Sequence, residues 1–335
     1  MSNPILVEVT RGTLVESRHR CAVAVVDAAG GEVLALGDVA APVFPRSAVK
    51  AWQAIALVES GAADRYGFGD EELALACASH SGEPAHVAGV ERMLAKAGLD
   101  AAALRCGTHW PIAQPAAAMV ARQGGPSALH NNCSGKHAGF LCLACAMGWD
   151  RANYVRPDHP VQRAVYAVIE DFSGITPTRE VCATDGCSVP TWAVPLKSLA
   201  HGFAKFGSGQ GVSAARAAAA ARLRQACAAK PWFVAGTGRF CSEVMRRLGA
   251  RAFVKTGAEG VYCGALPELG LGIAVKCDDG STRAAQAVMA ALIARHLPLE
   301  LADREALGAL MQPVLRNWNG TAVGGVRLAG ALAVG

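Results

Sequence analysis

Ser47-Ala48-Val49-Lys50 opens a stretch, 47–60, whose apolar residues recur at helical spacing behind a serine at the N-terminal edge. Before it, the pattern predicts strands over 5–10, 21–27 and 32–37, the last two joined as a hairpin across Ala28-Ala29-Gly30-Gly31. After the loop marked by Pro42 and Pro45 and the helix over 47–60, further helices are predicted over 71–77, 85–97, 137–147, 161–172, 212–228 and 239–248. Strand character returns at 252–256, 260–266 and 271–277, followed by a helix over 282–296. Strands at both ends with helices between them predict an α+β fold. One sheet, from about 5–37 and 252–277, packs against a mainly helical middle, about 47–250, and residues 1–335 form a single unit. The Gly-rich tail 317–335 has no assignable pattern, and Gly207 to Gly211 is too short a linker to divide domains.

Composition narrows the class. With 52% hydrophobic and only 18% charged residues, the chain has ample material for a core, which excludes a disordered protein. The net charge of +5 is scattered rather than gathered in a basic block, so nucleic acid is not an expected partner. No apolar window is long enough for a membrane span, and the N-terminus lacks a secretion signal, so a cytoplasmic protein is expected. Twelve cysteines at irregular spacing then read mostly as reduced, buried hydrophobes, since disulfide frameworks serve small domains that lack a core.

Several segments concentrate reactive groups. In Ser47-x-x-Lys50 the spacing of three places hydroxyl and amine on one helix face, and a lysine of depressed pKa can serve as the base that a weak serine nucleophile needs. Lys255-Thr256-Gly257 ends an apparent strand; an SxxK followed by KTG is the pairing found in penicillin-binding proteins and class A β-lactamases. The SDN element of those proteins is missing, and Asn131-Asn132-Cys133-Ser134-Gly135-Lys136-His137 stands in its approximate place. Cys77-Ala78-Ser79-His80-Ser81-Gly82-Glu83 leaves a helix, and Thr184-Asp185-Gly186-Cys187-Ser188-Val189-Pro190 marks a turn. Cys133 and Cys187 are two soft ligands on separate loops, suited to zinc if a nitrogen joins them, whereas Cys142 and Cys145 read as helix core.

Together with Gly236-Thr237-Gly238-Arg239-Phe240-Cys241, these segments resemble, in order, the bacterial class 3 L-asparaginase family of inducible rhizobial type, also called the thermolabile asparaginase II family. The resemblance runs from about Val9 to Lys276 and implies a fold similar to serine β-lactamases and glutaminases. It implies two Ser-Lys pairs, Ser47 with Lys50 and Ser79 with Lys255, and one zinc ion per subunit held by Cys133, Lys136 and Cys187 as an aid to substrate binding. Arg46, His137 and Asp185 match positions expected at the substrate, Arg46 toward its carboxylate and the other two toward its ammonium group or a zinc-bound water. The activity implied is hydrolysis of L-asparagine to L-aspartate and ammonia by a homodimer. Two other readings stay open: a serine β-lactamase or esterase using the same SxxK and KTG, and a non-catalytic zinc or redox sensor in which the cysteines are the working groups.

Overall fold

A computed structural model describes residues 2–333. The strands at the two ends of the chain meet in one sheet. They are β1 (Ile5–Arg11), β2 (Leu14–Asp27), β3 (Glu32–Leu36), β4 (Phe253–Thr256), β5 (Val261–Leu266), β6 (Leu271–Cys277), β7 (Val314–Arg316) and β8 (Ala322–Leu328). Their order is β7-β8-β1-β2-β6-β5-β4, with β3 also on β2, and every pairing is antiparallel. The fold is α+β, as expected.

Strand β2 explains why half of it escapes a sequence reading. Residues 14–20 carry Glu16, Arg18 and Arg20 and pair with β1, whereas 21–26 are uniformly buried, pairing with β6 and β3. Only the second half advertises itself as an apolar strand. The tail that had no assignable pattern supplies β8, which pairs with β7 just before that tail and with β1 from Val7↔Leu328 to Arg11↔Gly324. Met1, Val334 and Gly335 lie outside the described residues.

In the middle, helices Asp70–Ala76, Pro84–Lys96, Ser134–Met147, Pro160–Ser173, Ala214–Ala229 and Phe240–Leu248 fall where periodicity puts them. Helices Gln114–Arg122, Leu196–Ser208 and Leu301–Met311 are additional. Leu196–Ser208 packs on the sheet against β6 and β2. The stretch expected as one helix over 47–60 is broken into a 3-10 turn, Arg46–Val49, and two short helices, Lys50–Gln53 and Ile55–Glu59. Trp52, fully buried, anchors this broken segment against Phe172 and Phe203, with ring centroids 5.3 and 4.7 Å away. Helix Ser134–Met147 approaches helix Asp70–Ala76 so closely that a Cβ on Gly135 would stand 2.3 Å from the Leu75 carbonyl oxygen. That approach sets Lys136 and His137 beside the helix exit that carries Ser79.

Candidate active site

Residues from four distant segments converge at the edge between the sheet and the helices. Ser47 sits in the 3-10 turn, where positions i and i+3 eclipse, so it shares a face with Lys50. Lys50 is fully buried, and its ammonium group donates to the Ala78 carbonyl (2.6 Å), Ser79 Oγ (3.0 Å) and the Asn132 carbonyl (3.2 Å). All three of its donors are thereby used. Lys255, at the end of β4, donates to Ser79 Oγ at 2.8 Å and to the Thr256 carbonyl at 3.0 Å. Ser79 is the acceptor shared by both lysines. Burial, and the nearby Lys50 charge, push the Lys255 pKa down to about 7.

The strand end and the serine turn touch directly. A Cβ on Gly257 would lie 2.6 Å from the Pro45 carbonyl oxygen, so the KTG glycine permits the contact that seats Arg46-Ser47 against β4. Arg46 itself has φ of 52°, and with Ser188 (74°) and Glu259 (55°) it makes up the non-glycine residues of positive φ among the described residues. Each of the three flanks a site segment, next to Ser47, Cys187 and Gly257 respectively or two residues from it, as strained backbone tends to at working sites.

The two polar loops are tied to one another. His80 Nδ1 accepts from Gly82 N–H at 3.1 Å, which leaves Nε2–H to donate to Ser134 Oγ at 2.8 Å. Asn131 fixes its own loop, donating to the Cys106 and Gly107 carbonyls and accepting from Cys133 N–H. The Gly236–Cys241 motif braces the Ser79 loop from outside: Thr237 N–H and hydroxyl both donate to Glu83, and Arg239 donates to Ser81 Oγ at 3.2 Å. These are supports, not reacting groups.

The expected metal set also comes together. Lys136 Nζ lies 3.0 Å from Cys187 Sγ, and Asp185 Oδ2 is 3.6 Å from the same sulfur. A hydrogen bond from Cys187, with help from the Lys50 and Lys136 charges, holds Cys133 well below the usual thiol range, and that bond pushes Cys187 up. Burial works against the Lys136 charge, but Cys187 and Cys133 outweigh it and hold the ammonium group above its ordinary value. Among the described residues no group of three or more His, Cys, Asp and Glu side chains could hold a metal ion, so these two sulfurs reach three donors only with the lysine amine. All twelve cysteines are free thiols.

Arg46 Nε is ion-paired with Asp185 Oδ1. Burial opposes the Asp185 charge, while Lys136 and Arg46 more than offset it and keep the carboxyl below its ordinary value. His137, fully buried, bonds through Nδ1 to the Tyr154 hydroxyl at 2.7 Å. Arg46, Ser47, Lys50, Ser79, Cys133, Lys136, His137, Asp185, Cys187 and Lys255, the residues expected at the site, therefore gather in this region, while Cys142 lies apart and bonds to the Met93 carbonyl. What sequence reading missed are the backbone acceptors Ala78 and Asn132, which carry no side-chain signal, and Tyr154, a lone tyrosine in a connecting loop.

A cavity of about 650 Å³, lined by residues including Thr184, Ser188, Tyr166 and Trp192, lies behind the turn bearing Asp185 and Cys187 and is not lined by the Ser-Lys pairs. No helix among the described residues is long and apolar enough to cross a membrane.

Among solved structures, the chain is similar to a β-lactamase from Mycobacterium bovis, at 15% identity over 82% of this chain and 94% of that one, with a TM-score of 0.40. It is also similar to Mglu, at 17% identity over 85% and 69% of the two chains, with a TM-score of 0.38. No curated protein matches. The family model described as L-asparaginase II matches residues 7–328, nearly the whole chain: the protein belongs to that family and is an L-asparaginase.

Proposed function

We propose that this asparaginase hydrolyses the side-chain amide of L-asparagine through an acyl-enzyme formed on Ser47. One observation carries the reading: Ser79 Oγ lies within hydrogen-bond distance of two buried lysines, Lys50 and Lys255, and Ser47 stands one 3-10 turn before Lys50. A lysine near neutrality can accept a proton at pH 7, and Lys255 is that group. Lys50 passes a proton through the Ser79 hydroxyl to Lys255 and, now neutral, takes the Ser47 proton as Ser47 Oγ attacks the amide carbon. The protonated Lys50 returns that proton to the leaving nitrogen, ammonia departs, and a β-aspartyl ester remains on Ser47. Water, its proton taken by Lys50, cleaves the ester to L-aspartate and restores the serine.

Arg46 and Asp185 form a charge pair that matches the zwitterionic end of asparagine, guanidinium to carboxylate and carboxylate to ammonium. Cys133, Cys187 and Lys136 would hold one zinc ion per subunit. A thiolate-prone sulfur, a second sulfur and an amine suit a borderline-soft cation, and the amine must lose its proton to bind. Bound there, zinc would supply an electrophilic contact that helps to seat the substrate. The enzyme is further proposed to work as a single catalytic unit in a cytoplasmic homodimer; free thiols suit a reducing compartment, and exposed Leu301, Val314 and Trp318 leave apolar surface to cover.

Ser47→Ala and Ser79→Ala, assayed for ammonia release and quenched for mass spectrometry, test the assignment. The expected result is a β-aspartyl adduct on the Ser47 peptide of the native enzyme and none in Ser47→Ala. An adduct that still accumulates in Ser47→Ala would transfer the nucleophile to Ser79, which, unlike Ser47, accepts directly from both lysines.

A further inference from the structure

Tyr154 has no role in the reaction derived above, yet it is fully buried and its hydroxyl sits at the centre of a short chain of bonds. The hydroxyl oxygen accepts from the Arg105 backbone N–H at 2.8 Å and lies 2.7 Å from His137 Nδ1. A buried hydroxyl needs somewhere to send its own hydrogen. Among the described residues, His137 Nδ1 is the acceptor within reach. Were Nδ1 to carry a proton instead, the phenol oxygen would receive two donors and its hydrogen would be left without an acceptor inside the protein.

From this we propose that Tyr154 is a positioning residue that locks His137 in the Nε2–H tautomer, making the imidazole a standing hydrogen-bond donor to a substrate or water oxygen. The tautomer follows from the network of partners. His137 Nε2 is buried and has no partner, so its hydrogen is available for such an oxygen. Helix Ser134–Met147 carries His137 next to Lys136, and Cys133 at its N-cap stands four residues earlier, so Cys133 and His137 lie on the same side of the helix start. This decides between the two tasks that the resemblance left open for His137: a ring that donates through Nε2 and accepts through Nδ1 from tyrosine has no lone pair left for a substrate ammonium group. The second half of the proposal, toward a substrate oxygen, rests on the asparaginase reading; the tautomer does not.

The experiment is ¹⁵N NMR of histidine-labelled enzyme as purified, with the His137 ring signals identified by their loss in His137→Gln, alongside kinetics of Tyr154→Phe on L-asparagine. The native enzyme is expected to show Nδ1 unprotonated and Nε2 protonated. Tyr154→Phe is expected to populate the other tautomer and to lower kcat/KM about tenfold, equivalent to about 1.4 kcal/mol. A protonated Nδ1 in the native enzyme would overturn the lock, and this measurement needs no activity. An unaltered Nε2–H tautomer in folded Tyr154→Phe would do the same. A shifted tautomer with unchanged kcat/KM would overturn the donor role while leaving the lock. Absence of asparaginase activity in the native enzyme would count against the proposed reaction and leave the tautomer result standing.

Discussion

Replacing Lys255 with methionine isolates the energetic cost of holding a charge where the enzyme keeps it. Burial first, then Lys50, takes the amine from an ordinary 10.5 to about 7. That difference of about 3.5 pKa units, at 1.36 kcal/mol each, is about 5 kcal/mol that the charged form costs the folded protein. A folded-state pKa below the unfolded one means that the native protein binds fewer protons between pH 7 and 10.5. Stability contributed through Lys255 therefore rises with pH across that window, and below pH 7 the full cost remains. Lys255→Met removes the cost but leaves the Thr256 carbonyl without its donor and Ser79 with one lysine fewer, at about 1–3 kcal/mol for each unsatisfied group. Near pH 6.5 the variant is expected to be as stable as the native enzyme or more so. By pH 9.5 the balance moves toward the native enzyme by about 3 kcal/mol, because one proton changes ΔG by about 1.4 kcal/mol per pH unit. Urea unfolding of both proteins at pH 6.5, 8 and 9.5, at one protein concentration, reads the difference directly. A difference that stays flat over this range refutes the claim that Lys255 is the depressed lysine, whatever the variant does to activity.

Other expectations follow from the same geometry. Asp185→Asn removes the partner of Arg46 and one of the charges that hold Lys136 protonated, so KM for L-asparagine should rise at least about tenfold with a smaller change in kcat; an unchanged KM in the ammonia-release assay would count against the zwitterion match. Stripping metal with a chelator should raise KM and leave kcat less affected, with zinc restoring both. Calorimetry showing intact substrate binding beside lost turnover would instead bring the metal into the chemistry. Gly135→Ala forces helix Ser134–Met147 off the Leu75 carbonyl, which should lower stability by about 1–3 kcal/mol and displace Lys136 and His137. A variant with native melting temperature and activity would show that the helices are not in this close contact.

What could be read from the sequence was local, and what could not was convergence. The SxxK spacing fixes a shared face for Ser47 and Lys50 whether the turn is α or 3-10, so the break at Ala54 did no harm to that expectation. The end of β4 follows from its apolar pattern and glycine. Nothing local says that Ser79 meets Lys255, 176 residues away, or that Lys50 spends its donors on Ser79 and two carbonyls rather than on Ser47. Motif order under the family resemblance supplied the pairing of Ser79 with Lys255. Strand β8 was hidden for a different reason: Gly324-Gly325 erase the alternation that marks a strand, and its identity comes from pairing with β1. Tyr154 has no pattern at all, since its meaning lies in what its hydroxyl meets.

Two of the three buried lysines, Lys136 and Lys255, hold their protons with different affinity within one region. Lys136 faces two cysteine sulfurs and, close by, the Asp185 carboxylate, and keeps its proton. Lys50 faces three neutral oxygens that saturate its ammonium group. Lys255 has only a hydroxyl that it must share and one carbonyl, with the Lys50 charge nearby, and it is the lysine driven toward neutrality. Burial is common to Lys136 and Lys255, so burial alone does not set them apart; the count and charge of compensating groups does. In the proposed mechanism a proton leaving Lys50 through Ser79 would move toward Lys255, whose pKa burial and the Lys50 charge push down to about 7. Without metal the sulfurs hold Lys136 protonated, and with the proposed zinc its amine would be a ligand, so in either state Lys136 stands outside the proposed relay of Lys50, Ser79 and Lys255.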